Sequence, residues 1–432
     1  MSAIRSTLLP VDGEKPDEPQ SSPLRVVEAD FREDPRWLDF LSSHRDALIY
    51  HHPGWLAALE NEYGRRCIAL ACEGSDGVFQ GVLPLLLTRG LPLRLSRHQV
   101  GRRLSSLPRT PLAGPLASNS QALAALLRAA LQLVQGEPNL QLELKTTTPD
   151  LDKIVPELQC VRWRDTYVRG LPTNENPAID VAGHESRIVK SCESCDTCRV
   201  LRFGSSRENH QVRWAANKAT RQGISLRPAR DEDDLRTWYQ IYLRTMRRNA
   251  VPPRPFRFFQ QLWKELQPLG HIELLLAERD ENRPDASSGI ADSESWTMNR
   301  CSDHLETVSG SIFLQFGQTV FWAFSGSDER NSNLHANDLT LWRYLHNSCK
   351  LGYKWCDLGE VAESHPELAQ FKAKWGTFLQ PMYRYYYPAW FRSAETEADS
   401  AFGLVTRAAK PVLRQLPLRA VAALGDCIFR YL

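Results

Sequence analysis

The run Phe371-Lys372-Ala373-Lys374-Trp375-Gly376 closes a short helical stretch that begins at Pro366. On a helix, Leu368, Phe371, Lys372 and Trp375 stand at i, i+3, i+4 and i+7, so they share one face. Three are apolar and the fourth is a cation, which is costly on an inward stripe unless it has a partner. Lys374 falls on the other side and reads as a solvent lysine. An ammonium placed as Lys372 is can donate to a carbonyl oxygen that is gaining charge, or to a phosphate. The structural alternative is a snorkelling lysine whose stem packs on Trp375. Asp357 and Glu360 flank the end of an expected strand over 354–358. A carboxylate there can take a proton from an ammonium; for Asp357 a structural hydrogen bond, and for Glu360 a solvated loop position, are the alternatives.

These residues need a scaffold, and the chain is long enough for two cores: 432 residues, 42% hydrophobic, with twelve tryptophans. The net charge of +2 argues for no polyanionic partner. Residues 1–23 are polar and rich in Pro and Ser and read as a disordered leader without a secretory signal. No uninterrupted apolar run reaches 18 residues, so no membrane span is expected. The ten cysteines read as mostly reduced thiols of a cytoplasmic protein. A first α/β unit is expected over 24–170, with a hairpin turn at Gly74-Ser-Asp-Gly77 and an amphipathic helix over 121–134. Residues 171–200 read as a linker or insertion. Its Cys192-x2-Cys195-x2-Cys198 spacing lacks a nearby fourth ligand, so no metal is expected. A second unit spans 201–390. It holds a basic helix over 209–222 that stops at Gly223, helices over 231–248, 255–266 and 334–350, and a hairpin about Gly317-Gln318. Its polar insertion over 279–308 costs little closure entropy. The segment 391–432 is apolar and basic and is broken by Pro411 and Pro417. It reads as two short helices that dock on the protein or lie on a membrane surface.

Each unit begins with a strand and helices, passes through antiparallel strands, and ends in a helix and a strand. The pieces His51-His-Pro-Gly-Trp55, Val82-Leu-Pro-Leu85, Ser106-Leu-Pro108 with Gly114-Pro115, Phe316 to Asp328, Ala336-Asn-Asp-Leu-Thr-Leu-Trp342, Gly352 to Gly359, and Phe371-Lys372 with Trp375-Gly376 carry a resemblance. In order and spacing they resemble the FemAB-type transferases and the BioF-like (CelD-like) acetyltransferase domains. The resemblance implies an α/β (α+β) fold of two tandem GNAT (N-acetyltransferase) domains, each a mixed, largely antiparallel sheet flanked by helices. It implies an N-acyltransferase that moves an acyl or aminoacyl group onto an amine of a cell-envelope precursor or polysaccharide sugar. The donor would be acetyl-CoA or aminoacyl-tRNA, and the acceptor a small-molecule or lipid-linked amine. Phe371-Lys372 matches the Phe-Lys pair of the family's acyl-transfer site.

In such folds the turn before the helix at 334–350 cradles a donor phosphate on backbone N–H groups. Here that turn, Arg330 to Ala336, has no glycine, and Asp338 near the helix start would repel a phosphate while suiting the helix dipole. The departure weakens the expectation of coenzyme A. Arg330, Asn333, His335 and Asn337 are the donor-side candidates, with Asn333 as N-cap the alternative. Arg213 on the basic helix and Trp375 complete the donor side; a solvated face is the alternative for Arg213. A non-catalytic binding or assembly protein on a degenerate acetyltransferase fold is the competing function.

Overall fold

The computed structural model describes residues 24–89, 102–137, 139–172, 205–280, 305–363, 365–389 and 410–429, with four two-residue strand segments between 178 and 200. The leader, Cys192, Cys195, Cys198 and most of the two insertions lie outside the described residues.

Thirteen strands build one sheet. They are β1 (Arg25–Glu28), β2 (Cys67–Glu73), β3 (Phe79–Thr88), β4 (Arg102–Ser105), β5 (Leu116–Ala117), β6 (Leu140–Thr146), β7 (Gln159–Gly170), β8 (Ile224–Pro228), β9 (Ile272–Asp280), β10 (Leu305–Phe316), β11 (Thr319–Ser327), β12 (Trp355–Glu360) and β13 (Phe378–Tyr387). Their order is β1-β2-β3-β4-β6-β13-β7-β12-β11-β10-β9-β8, with β5 on β3. All pairings are antiparallel except β4–β6 and β11–β12. Each half of the chain therefore has one parallel step, reached through one helix: α3 (Ser120–Gln132) in the first and α8 (Ala336–Lys350) in the second.

The halves are not separate sheets. β13 leaves the second half and inserts between β6 and β7, pairing Tyr385 with Leu144 on one side and Cys160 on the other. β7 in turn pairs with β12. The other helices are α1 (Pro35–Ser43), α2 (Pro53–Tyr63), α4 (Leu151–Ile154), α5 (Ser206–Arg221), α6 (Glu232–Asn249), α7 (Phe256–Leu266), α9 (Pro366–Ala373) and α10 (Leu418–Ile428). Local chemistry sets their ends. The Ser205 and Glu208 side chains form a capping box on α5, and Asp231 caps α6. α2 stops at Gly64, whose φ of 62° suits a residue without Cβ.

Three cores result. α3 packs Leu126, Leu127 and Leu131 over Leu142, Leu144 and Tyr385. α5 and α8 cover Val320, Cys356 and Leu358. The third core joins the halves, with Trp55 of α2 edge-on to Phe258 of α7. At that junction Arg254 and Glu62 form a buried ion pair at 3.0 Å.

Several expectations shift. The first strand of the second hairpin begins at Leu305, so the insertion is shorter than 279–308. The helix expected from 334 begins at Ala336, after a 3-10 segment Glu329–Leu334. Tyr385 is buried in the core, where its hydroxyl donates to the Thr148 carbonyl and accepts from the Leu151 N–H.

Candidate active site

β11 and β12 run parallel only over Thr319–Phe321 and Trp355–Asp357. Beyond that point no ladder joins them, and α9 packs where they part. Lys372 of α9 is buried, and its ammonium donates to the carbonyls of Gly359 at 2.9 Å and Glu360 at 3.1 Å. An ammonium has three donors, so one N–H has no hydrogen-bond acceptor among the described residues; the ammonium stands 5.9 Å from the Tyr167 ring centroid. Burial pushes Lys372 down to about 8, against the opposing pull of Asp357 and Glu360.

Asp357 is the acidic counterpart. The Thr166 hydroxyl and the Gly359 N–H donate to its Oδ1 at 2.5 Å and 2.6 Å. Among the described residues no hydrogen bond falls on Oδ2. Burial raises the Asp357 carboxyl above its ordinary value; the Thr166 and Gly359 bonds and the Lys372 charge oppose that shift. Gly359 itself adopts φ 80°, a backbone state that disfavours any residue with a Cβ. Glu360 ends β12, accepts from the Trp163 indole at 3.0 Å and lies 3.7 Å from Arg164. It is a held residue, not a solvated loop carboxylate.

Asp357 also lines a cavity of about 870 Å³ between the halves. Phe321, Thr319, Gln318, Trp355, Phe378 and Gln380 contribute from the second half, and His51, Gly114, Thr146 and Thr148 from the first. His51 is not available as a base. Its Nδ1 accepts from the Leu48 N–H, so Nε2 carries the proton and donates to the Gly114 carbonyl at 3.0 Å. Burial holds its pKa down to about 4.

The rest of α9 corrects the wheel reading. Leu368 is 41% exposed and is not part of the inward face. Lys374 is not a solvent lysine: its ammonium pairs with Asp338 of α8 at 2.5 Å and lies 4.2 Å from the Phe371 ring centroid. Trp375 is fully buried and packs in the core of the second half. Phe371 is partly buried, its ring 5.6 Å from that of Trp322 and 6.5 Å from that of Trp375.

At the start of α8, Asn333 is exposed and does not cap the helix; His335 holds the N-cap position at φ 54°. The His335 ring lies between Asp338 at 3.4 Å and the Lys218 ammonium at 3.5 Å. Arg330 is turned to Asp328 at 2.6 Å and is largely exposed. Arg213 is exposed on α5. Asn337 places its Oδ1 in a buried position with no partner among the described residues. So His335 stands together with Lys218, Asp338 and Lys374, while Arg330, Asn333 and Arg213 make no contact with them among the described residues.

Sequence reasoning missed Thr166, Gly359 and Trp322. The indole N–H of Trp322, on β11 just past the last parallel pair, is buried and has no partner among the described residues. A glycine directly after a buried strand was the one visible signal for Gly359.

The parallel step of the first half is closed. The Ser106 N–H donates to the Glu143 carbonyl at 2.9 Å, the Lys145 N–H to Ser106 Oγ at 2.7 Å, and Lys145 Nζ to the Leu107 carbonyl at 3.1 Å. The Ala113 N–H donates to the Lys145 carbonyl at 3.3 Å. A Cβ on Gly114 would stand 2.6 Å from the Thr146 Cβ. The chain over 106–114 therefore packs against the end of β6, where β4 and β6 part. Among the described residues no cluster of metal-ligating side chains occurs, and no helix is long and apolar enough to cross a membrane.

A comparison with curated protein sequences finds no match. Among solved structures the chain is similar to FemX, with a TM-score of 0.54 and 15% identity over 83% of this chain and 96% of that one. It is also similar to the C-terminal domain of an Agrobacterium fabrum protein named as a lysylphosphatidylglycerol synthetase, with a TM-score of 0.50 and 10% identity over 88% and 97%. Residues 206–373 match the model of the acetyltransferase (GNAT) domain. By these matches residues 206–373 form an acetyltransferase (GNAT) domain, and the chain as a whole has a fold similar to that of FemX.

Proposed function

We propose that the protein is an N-acyltransferase whose reaction centre is formed by Lys372 and Asp357. The carrying observation is that Asp357 lines the inter-half cavity while Gly359 binds both side chains. An amine entering the cavity as an ammonium gives a proton to Asp357, whose raised pKa suits it to that task. The neutral amine then attacks the acyl carbonyl carbon, forming the C–N bond. The remaining N–H of Lys372 donates to the oxyanion as charge develops there; the C–O or C–S bond then breaks, and the departing carrier oxygen or sulfur takes the proton that the amine nitrogen sheds as the amide forms. Fixing amine and carbonyl together supplies up to roughly 7–11 kcal/mol of the barrier. One oxyanion donor supplies about 2.7–4 kcal/mol.

The acceptor is an amine of a cell-envelope precursor or polysaccharide sugar, and the donor acetyl-CoA or aminoacyl-tRNA. The buried carboxylate of Asp338 in the first turn of α8 favours a donor that does not rest a pyrophosphate there. Lys374 and His335 moderate that carboxylate, which keeps an acyl-CoA donor in the comparison. The test is a donor panel: acetyl-CoA and a set of aminoacyl-tRNAs, each with amino-sugar and peptidoglycan-precursor acceptors, read by product mass. Transfer from one donor supports the proposal. Binding of neither donor by calorimetry supports the non-catalytic assembly role instead.

A further inference from the structure

We propose that residues 410–424 form a docking face for an anionic phospholipid membrane. Between Lys410 and Gly425 the chain has Lys410, Arg414 and Arg419 and no acidic residue. Residues 410–415 are helical and lead through Pro417 into α10. α10 is fixed to the body by one face only. Val421, Gly425 and Phe429 are buried, and Gly425 lies so close to the Pro253 carbonyl that no Cβ fits there. Arg414 donates to the Arg248 carbonyl, and Arg247 to the Leu416 carbonyl, which pins the preceding turn to the end of α6.

The face left outward mixes cations with apolar groups. Val412 is 62% exposed between Lys410 and Arg414, and Val251, at the end of α6, is 43% exposed. Arg419 and Ala423 are exposed on α10. The partly buried Arg247 and Arg248 add charge from α6. The nearest acid on α10, Asp426, is paired with Arg257 at 3.0 Å. An exposed apolar side chain framed by cations suits the boundary of an anionic leaflet, where headgroups take the charge and the apolar group enters the acyl region. A nucleic acid would use the cations but give Val412 no place, so the charge and apolar pattern together favour lipid. Such docking would bring the chain to lipid-linked substrates without a spanning helix.

The test is vesicle co-sedimentation of the full chain with phosphatidylglycerol and with phosphatidylcholine vesicles. Each cation near an anionic surface contributes about fivefold in partitioning. The triple variant Lys410→Glu, Arg414→Glu, Arg419→Glu is expected to lose at least about a hundredfold. Arg414 also holds a backbone carbonyl, so Val412→Asp with Lys410→Gln serves as a second variant that leaves that bond intact. Binding to phosphatidylglycerol only, weakened by salt and by both variants in folded protein, supports the proposal. No binding to phosphatidylglycerol overturns it, as does binding that both variants retain or equal binding to phosphatidylcholine.

Discussion

Lys372 and Asp357 are held by opposite ends of one residue: the Gly359 carbonyl accepts from the Lys372 ammonium and the Gly359 N–H donates to the Asp357 carboxylate. The peptide flanks thus fix acid and base relative to each other. The φ of 80° at Gly359 is what lets one residue offer both groups. Gly359→Ala puts a Cβ into that left-handed state at a cost of about 1–2 kcal/mol. The added atom would lie 3.5 Å from Lys372 Nζ, an ordinary contact, so strain and not collision is the effect. A lower thermal midpoint together with reduced turnover is expected; an unchanged midpoint would separate the backbone from the site.

Asp357 is assigned the proton from the amine. Asp357→Asn is expected to lower kcat by about 10²–10⁴ and to remove the acidic limb of the pH–rate profile. That limb lies above the ordinary carboxylate range, because burial raises the Asp357 pKa. A variant that keeps the limb places the base elsewhere, with Glu360 the next carboxylate to test.

Arg254 and Glu62 join the halves as a buried ion pair. Removing one partner of such a buried pair leaves a stranded charge and costs about 3–5 kcal/mol. Glu62→Ala is expected to lower the unfolding free energy by that amount, and its effect should be far from additive with Arg254→Met. Urea unfolding of both single variants and the double variant measures this.

With residues 106–114 packed against the first parallel step, the proposed function predicts one donor site per chain. Calorimetric titration with the donor identified by the panel should give a stoichiometry of one. A stoichiometry of two would mean that the segment over 106–114 yields to ligand.

Much of the frame was legible in the sequence, for local reasons. The hairpin about Gly317 and the stop of α5 before Gly223 follow from turn and cap chemistry. Lys372 stood out because a cation broke an apolar stripe. The remainder depended on long-range packing. Nothing local tells β13 to enter between β6 and β7, since its partners lie more than 200 residues away. Lys374 read as solvent-facing because its partner Asp338 belongs to another helix. Asn333 read as a cap because the intervening 3-10 segment, which moves the helix start to Ala336, has no sharp residue signal.

The central claim is that the charged Lys372 stabilises the transition state. Its pKa of about 8 lies below the ordinary 10.5, so turnover should fall as pH rises through about 8. Stability behaves oppositely: between about 8 and 10.5 the unfolded chain binds more protons, so this residue's contribution rises with pH. The direct measurement is the pH profile of kcat for Lys372→Met beside the wild type, with folding checked by circular dichroism. A folded variant with kcat about 10²–10³ lower, little change in KM, and no alkaline fall near pH 8 is expected. A folded variant with wild-type kcat and an unchanged alkaline limb would contradict the central claim.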